Sequence, residues 1–332
     1  MATAWEEVAQ AGKEKRRELV LQGKEISKRI DKGGLDINIY RLVSLNYLEI
    51  SGTTLSTIDS DVQKLENLTA LVLCNNQLTN LPDEVGKLSK LKLLNVSNNK
   101  LESVPEVIGQ LCELDTLNLG MNMLKSVPPV GSLKNLHIFN VSGNELEALP
   151  EGIFDSSLGH LSQIDAADNY ITELGVEVNN LPHLNTLDLS NNKLTTVPTS
   201  LSLCAKLKEL NMKGNKFKDR RFGKMVDQCQ TKSVLEYLHN IWKKENQSSG
   251  KSGGKDKKKK KGKKAKDEVE DIIKNMVSIL RFDDDVGVEV KVTPQVLSVR
   301  QYIVCCIVRD LKLDSKFKSF ITLQVILDNL FG

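Results

Sequence analysis

The sequence predicts an α/β solenoid, with a parallel concave sheet on one side and short convex helices or turns on the other. Three observations predict it. The pattern LxxLxLxxNxL stands complete in Leu184-Asn-Thr-Leu187-Asp-Leu189-Ser-Asn-Asn192-Lys-Leu194, and recurs centred on Asn76, Asn99, Asn122, Asn144, Asn169 and Asn215. Successive asparagines are separated by steps of 23, 23, 22, 25, 23 and 23, a register that chance does not hold. Between the asparagines an apolar–proline step recurs at one phase, as Leu81-Pro82, Val104-Pro105, Val127-Pro128, Leu149-Pro150 and Val197-Pro198.

Each element has a physical reason. Leu187 and Leu189 alternate, so both point to one side of a short strand and fill a core, while the residues between them point out. An Asn amide both donates and accepts, and so satisfies backbone groups of the turn that would otherwise be orphaned inside the stack. Proline disfavours a long helix and leaves short helices or 3₁₀ turns on the convex side. One more unit fits upstream as Leu45-Asn-Tyr-Leu48-Glu-Ile50, with Thr53 in the asparagine slot. The whole reads as a leucine-rich repeat solenoid of eight units over residues 41–217. Eight strands about 4.8 Å apart make a concave sheet about 34 Å long.

Ends must be covered, because an open solenoid exposes leucines. Residues 1–40 are read as an N-terminal cap, with a helix over Glu14 to Asp31 carrying Leu19, Ile26 and Ile30 on one face. Residues 218–242 are read as a C-terminal helical cap. There Phe222, Met225, Val226 and Cys229 fit helical spacing, followed by Val234, Leu238 and Ile241.

The outward middle position of the strands forms one column: Glu49, Val72, Asn95, Asn118, Asn140, Asp165, Asp188 and Asn211. The positions beside it are small or polar, including Ser97, Thr116, Ser142, Ala167, Thr186 and Ser190. This is the chemistry of a polar, mildly acidic surface for a protein partner, the alternative being a face that is merely solvated. Glu49, Asn95, Asn118, Asn140, Asp165, Asp188 and Asn211 are its candidate contacts.

Residues 243–267 change character. Over 243–266 there are 12 lysines and two acids, and no hydrophobic anchor beyond Ala265, which is the composition of a disordered linker. That stretch carries +10 against +3 for the whole chain, which leaves −7 for the remainder. Lys255, Lys257, Lys258, Lys259, Lys260, Lys261, Lys263, Lys264 and Lys266 are candidate contacts to RNA phosphates, tRNA included. A nuclear-entry signal and a plain solvated spacer are the alternatives. No aromatic or arginine is interleaved to stack on bases.

Residues 268–332 read as a partial β-containing domain. Val286, Val288, Val290 and Val292 alternate with other residues as a half-buried strand does, and Tyr302 to Val308 is apolar throughout.

Several chemistries find no support. No GxGxxG or GxxxxGK[ST] phosphate loop is present. His137, His160, His183 and His239 show no zinc spacing, and no catalytic residue, cofactor, metal or small-molecule substrate is expected. The six cysteines share no paired spacing and are expected to be buried reduced thiols. No membrane-length apolar run exists and the start carries no secretory stretch, so a cytoplasmic setting without a membrane span is expected.

Two stretches carry a resemblance. Gly214-Asn-Lys-Phe-Lys-Asp-Arg-Arg-Phe-Gly-Lys-Met-Val-Asp-Gln-Cys-Gln-Thr-Lys-Ser-Val-Leu-Glu-Tyr-Leu238 resembles the end of the repeats in the leucine-rich repeat-containing protein 47 family. Val290-Lys-Val-Thr-Pro294 and Val299-Arg-Gln-Tyr-Ile-Val304 resemble the start of that family's second domain, with the basic linker in the expected place. The family's C-terminal half is similar to the tRNA-editing-type domain of the phenylalanyl-tRNA synthetase β subunit. The resemblance implies a link to translation and RNA, and a cytoplasmic setting. It does not imply aminoacylation, because the synthetase's active site lies in its α subunit. The chain departs from the family after Gln324, so residues 268–332 are read as the truncated start of that domain and no catalytic residue carries over. The expected function is a non-catalytic scaffold, with a protein on the repeats and RNA on the lysines. The alternatives are a pure protein adaptor and, more remotely, an enzyme acting on aminoacyl-tRNA.

Overall fold

A computed structural model of the chain describes residues 5–248, with side chains through 246. The lysine run and the β-containing domain expected at 268–332 lie outside the described residues.

Nine short strands form one parallel sheet in sequence order: β1 Glu18–Gln22, β2 Tyr47–Ser51, β3 Ala70–Val72, β4 Leu93–Asn95, β5 Thr116–Asn118, β6 Ile138–Asn140, β7 Gln163–Asp165, β8 Thr186–Asp188 and β9 Glu209–Asn211. Between β2 and β9 the return path carries 3₁₀ helices at Ser60–Lys64, Asp83–Lys87, Glu106–Gln110, Val176–Asn180 and Thr199–Leu203. This is the leucine-rich repeat solenoid that the spacing predicts. The core is one continuous stack of leucines, with Leu71, Leu94, Leu117, Phe139, Ile164 and Leu187 in register and fully buried.

The asparagine ladder supplies the polar half of the stack. In each of its middle coils the Oδ1 accepts a main-chain N–H from the preceding coil, and the Nδ2 donates to carbonyls of both coils. Asn122 Oδ1 accepts from Leu101 N at 3.1 Å, while its Nδ2 donates to Val96 O and Leu119 O. At the Thr53 slot the geometry shifts. Thr53 Oγ1 accepts from Leu55 N, and both the N–H and the hydroxyl of Thr53 donate to Asn76 Oδ1. Threonine therefore covers its own turn, but it has no amide to donate to a coil before it.

The N-terminal expectation is corrected. Glu14 to Asp31 is not one helix: α1 spans Glu6–Glu14, β1 follows, and α2 spans Lys24–Gly33. Leu19 and Leu21 are buried between exposed Glu18, Val20 and Gln22, a period of two, and Gly23 at φ 85° separates strand from helix. The helical spacing of Leu19, Ile26 and Ile30 joins residues of two different elements. Arg17 O accepts the N–H groups of Asn46 and Tyr47, as Asn46 O does from Thr69 and Ala70 one coil later. The segment read as a cap thus contributes a ninth strand, and the sheet is about 38 Å long.

At the other end α3 spans Arg220–Gln228 and α4 spans Thr231–Ser248. Asp219 caps α3 by accepting from Arg221 N and Phe222 N. Phe222, Val226, Val234 and Leu238 are buried against the last coils. The helix continues to Ser248, where the lysine content predicts a linker from residue 243 onward. Thr199 donates to Glu245 across that boundary.

Each coil turns out of its strand through one left-handed residue before the ladder position: Gly52, Asn75, Asn98, Met121, Gly143, Asp168, Asn191 and Gly214. Glycine, Asn and Asp are the residues that tolerate this region. Met121 (φ 57°) is the exception, and it is 60% exposed. Met121→Asn is expected to stabilise the chain by about 1 kcal/mol by relieving that strain. A higher denaturant midpoint with unchanged slope is the expected readout.

The cysteine expectation needs one change. Cys74, Cys112, Cys204 and Cys229 are free, but only Cys204 of these is buried, while Cys112 and Cys229 are exposed. Cys112 lies on a coil and Cys229 just past the end of α3, both away from the leucine stack.

Candidate protein-binding face

The strand register brings the sequence-predicted residues together. Glu49, Val72, Asn95, Asn118, Asn140, Asp165, Asp188 and Asn211 are successive ladder partners across β2 to β9. All but Val72, which is 9% exposed, are half-buried. The added strand extends the column to Val20, the partner of Glu49.

These side chains are held by short local bonds. Asn95 Oδ1 accepts from the N–H and hydroxyl of Ser97 at 3.1 and 2.8 Å, and Asn140 does the same with Ser142. Asn118 Oδ1 accepts from Gly120 N. With Oδ1 turned back to the chain, Nδ2 is the group each asparagine offers a partner, so the middle of the column is a row of donors at strand spacing. Asp188 Oδ1 accepts from Ser190 N and Oγ, and its Oδ2 accepts from Asn211 Nδ2 at 2.9 Å. At the N-terminal end Glu49 accepts from Tyr47 and Ser51. That bond to Glu49 and partial burial push the Tyr47 phenol up to about 12.

Asp165 differs from its neighbours. Burial, opposed in part by a bond from Ala167 N, and the nearby charges of Asp188 and Asp168 raise its carboxyl above the usual range. A raised folded-state value means that the charged form opposes folding, and that stability is gained as pH falls through it. Asp165→Asn keeps an oxygen for Ala167 N and removes the charge. The variant is expected to melt higher than the parent at neutral pH. The gap closes in acid, where Asp165 itself is protonated.

Three further features bear on this face. Tyr47, Leu93 and Ile138 sit half-buried two residues before the column, so that flank is less polar than its serines and threonines suggest. Tyr170 stands exposed on the rim, with the Lys193 ammonium 4.3 Å from its ring centre. Charge is also segregated. Residues 101–192 hold 13 acids and only Lys125 and Lys134, whereas 193–248 hold 12 Lys and Arg and five acids. The remainder outside the lysine run is thus not uniformly acidic. The lysines from Lys255 to Lys266 lie outside the described residues. Among the described residues no group of three His, Cys, Asp or Glu is placed to hold a metal ion, and no helix is long and apolar enough to cross a membrane.

Comparison with known proteins places this architecture. Residues 19–168 match the model of a leucine-rich repeat region, and residues 160–217 match that of a leucine rich repeat. The first match begins at Leu19, inside the added strand. Residues 19–217 are therefore leucine-rich repeats. Among solved structures the chain is similar to a leucine-rich repeat protein of Leptospira interrogans, at 28% identity and a TM-score of 0.56, covering 66% of this chain and 60% of that one. The chain thus spans less than two thirds of that relative's length. It is also similar to an internalin of Listeria monocytogenes, at 23% identity, TM-score 0.46, and coverage of 65% and 66%. A plant peptide hormone receptor solved in complex with RGF2 matches at 25% identity and TM-score 0.46, over 54% of this chain and 34% of that one.

Proposed function

We propose that this chain is a non-catalytic interaction scaffold. Its concave column holds a protein partner, and its lysine run contacts RNA phosphates in a translation-linked setting in the cytoplasm. The observation that carries the protein-binding half is the unbroken register from Glu49 to Asn211, polar at every position but Val72. These groups are held in place by bonds to their own strands, so little ordering is left for binding to oppose. Leucine-rich repeat solenoids in general present such a face to protein ligands.

The RNA half is supported by the lysine composition of 255–266 and by its position in sequence next to the basic stretch 193–248. The acidic middle, 101–192, repels phosphate and confines such contact to the basic part of the chain. The resemblance of 214–238 and 290–304 to the leucine-rich repeat-containing protein 47 family supports the link to translation. The adaptor reading without RNA differs only in the lysines, and the salt dependence of RNA binding separates the two.

The concave half is tested by placing a photo-crosslinking residue at Asn118, at the centre of the column, and at Gln63 on the convex side of the intact chain. A protein captured from Asn118 and not from Gln63, and lost when Asn95 and Asn140 are changed to arginine, is the expected result. Equal capture from both positions contradicts it.

A further inference from the structure

The convex side departs from its repeat at one place. Between β6 and β7 the coil is the long one, with a step of 25 from Asn144 to Asn169, and it makes turns where most neighbours make a 3₁₀ helix. In the next coil the apolar–proline step reads Leu174-Gly175. Gly175 keeps the backbone of the prolines it replaces: φ −62° and ψ 145°, against −62° and 143° at Pro105 and −68° and 139° at Pro198. What is missing is the ring. A Cβ at Gly175 would come within 3.3 Å of Phe154 Cδ2 and 2.9 Å of Glu177 Oε2.

The Glu177 carboxylate and the half-buried ring of Phe154 stand where that ring would be, and with Gly175 they line a hollow of about 500 Å³. Glu151, Asp155 and Glu173 also line it. No Lys or Arg occurs anywhere from residue 135 to 192, so no basic residue of these coils answers the four carboxylates.

We propose that this hollow is a second docking site, on the side opposite the concave column, for an extended basic segment of a partner protein that seats an arginine or lysine side chain against Phe154. The face of an aromatic ring attracts a cation, and carboxylates around it complete the charge. Backbone of an extended segment fits the open groove between two coils. The site does not depend on the concave reading, and either stands without the other.

Gly175→Pro is the discriminating variant. The backbone already has proline geometry, the Gly175 N–H donates to no backbone carbonyl among the described residues, and the Glu177 carboxylate that a Cβ would meet is the free end of a flexible side chain, so the fold is kept and thermal stability is expected to stay close to the parent's. The ring displaces the Glu177 carboxylate and covers the edge of Phe154 that faces Gly175. The probe is a short labelled peptide alternating glycine and arginine, with glycine–citrulline as its neutral counterpart, titrated by fluorescence anisotropy against the full chain.

The unaltered chain is expected to bind the arginine peptide and not the citrulline one. Gly175→Pro, and separately the pair Glu173→Gln and Glu177→Gln, should weaken binding about tenfold while melting close to the parent. The paired variant keeps the test standing should the proline disturb the fold. Three results overturn the proposal: no binding by the unaltered chain, equal binding by the variants, or binding lost equally with Asp165→Asn and Asp188→Asn on the concave face. In the first case, binding that emerges when the chain's own lysines from Lys255 to Lys266 are changed to glutamine would give the hollow to those lysines instead of a partner.

Discussion

Phe139→Ala is expected to lose about 3–5 kcal/mol of stability, the largest loss expected from any one side chain of the stack. Phe139 is fully buried and stands in a column otherwise made of leucine and isoleucine. Its coil is the short one, with a step of 22 from Asn122 to Asn144, and it forms no 3₁₀ helix on the return path. The ring bridges Leu117 of the coil before and Ile164 of the coil after. Truncation leaves a cavity that the tightly bonded strands on either side cannot close.

In a solenoid each coil touches only its neighbours, so a weakened coil also uncouples the two halves. The two tryptophans, Trp5 and Trp242, stand at opposite ends and report the halves separately. With each removed in turn, fluorescence of the parent is expected to follow one denaturation midpoint. In Phe139→Ala the two ends are expected to separate. Phe139→Leu, which keeps the column's usual residue, should cost about 1.5 kcal/mol and leave one transition.

Asn192→Ala is expected to cost about 2–4 kcal/mol for a different reason. The side chain is 4% exposed. Its Oδ1 accepts from Ile171 N at 2.9 Å, and its Nδ2 donates to Ala166 O at 2.8 Å and Leu189 O at 3.1 Å. Alanine leaves the Ile171 N–H without a partner in a dry turn between coils, and it takes one donor from Ala166 O and one from Leu189 O, which keep only the amides of Asn169 and Asn215. Asn192→Asp is the informative companion. It keeps the acceptor for Ile171 N but cannot donate, and it places a charge against two carbonyls. It is therefore expected to be at least as damaging at neutral pH and to recover partly in acid, where a protonated carboxyl donates again. Urea denaturation at neutral and at acid pH reads both. An alanine variant within about 0.5 kcal/mol of the parent, the range of an ordinary surface substitution, would show that the ladder is not what joins the coils.

The repeat is legible because a fixed period preserves phase. Once Asn192 and its equivalents are aligned, Asp188 and Asn140 must share a column, and the ladder register puts them there. β1 is not legible by the same rule. The step from its column residue Val20 to Glu49 is 29 instead of 23, because α2 lies between them, and no asparagine slot follows it. Period-two burial at Leu19 and Leu21 is visible but shorter than the helical pattern that overlaps it. The hollow is a case of a signal present yet mute: Gly175 in a proline phase and a step of 25 can be read off the chain. Only the position of Phe154 shows that the two create one space. Charge segregation is hidden for a simpler reason. A net value of −7 averages an acidic middle with a basic end.

The measurement that tests the scaffold reading most directly is tRNA binding by the intact chain across several salt concentrations. It is set beside a variant in which Lys255, Lys257, Lys258, Lys259, Lys260, Lys261, Lys263, Lys264 and Lys266 are glutamine. Binding at low salt is expected to fall steeply and linearly on a log–log scale, and to collapse in the variant. No binding by either protein at low salt, or binding that survives the loss of the lysines, contradicts the RNA half and leaves the concave column as the chain's working surface.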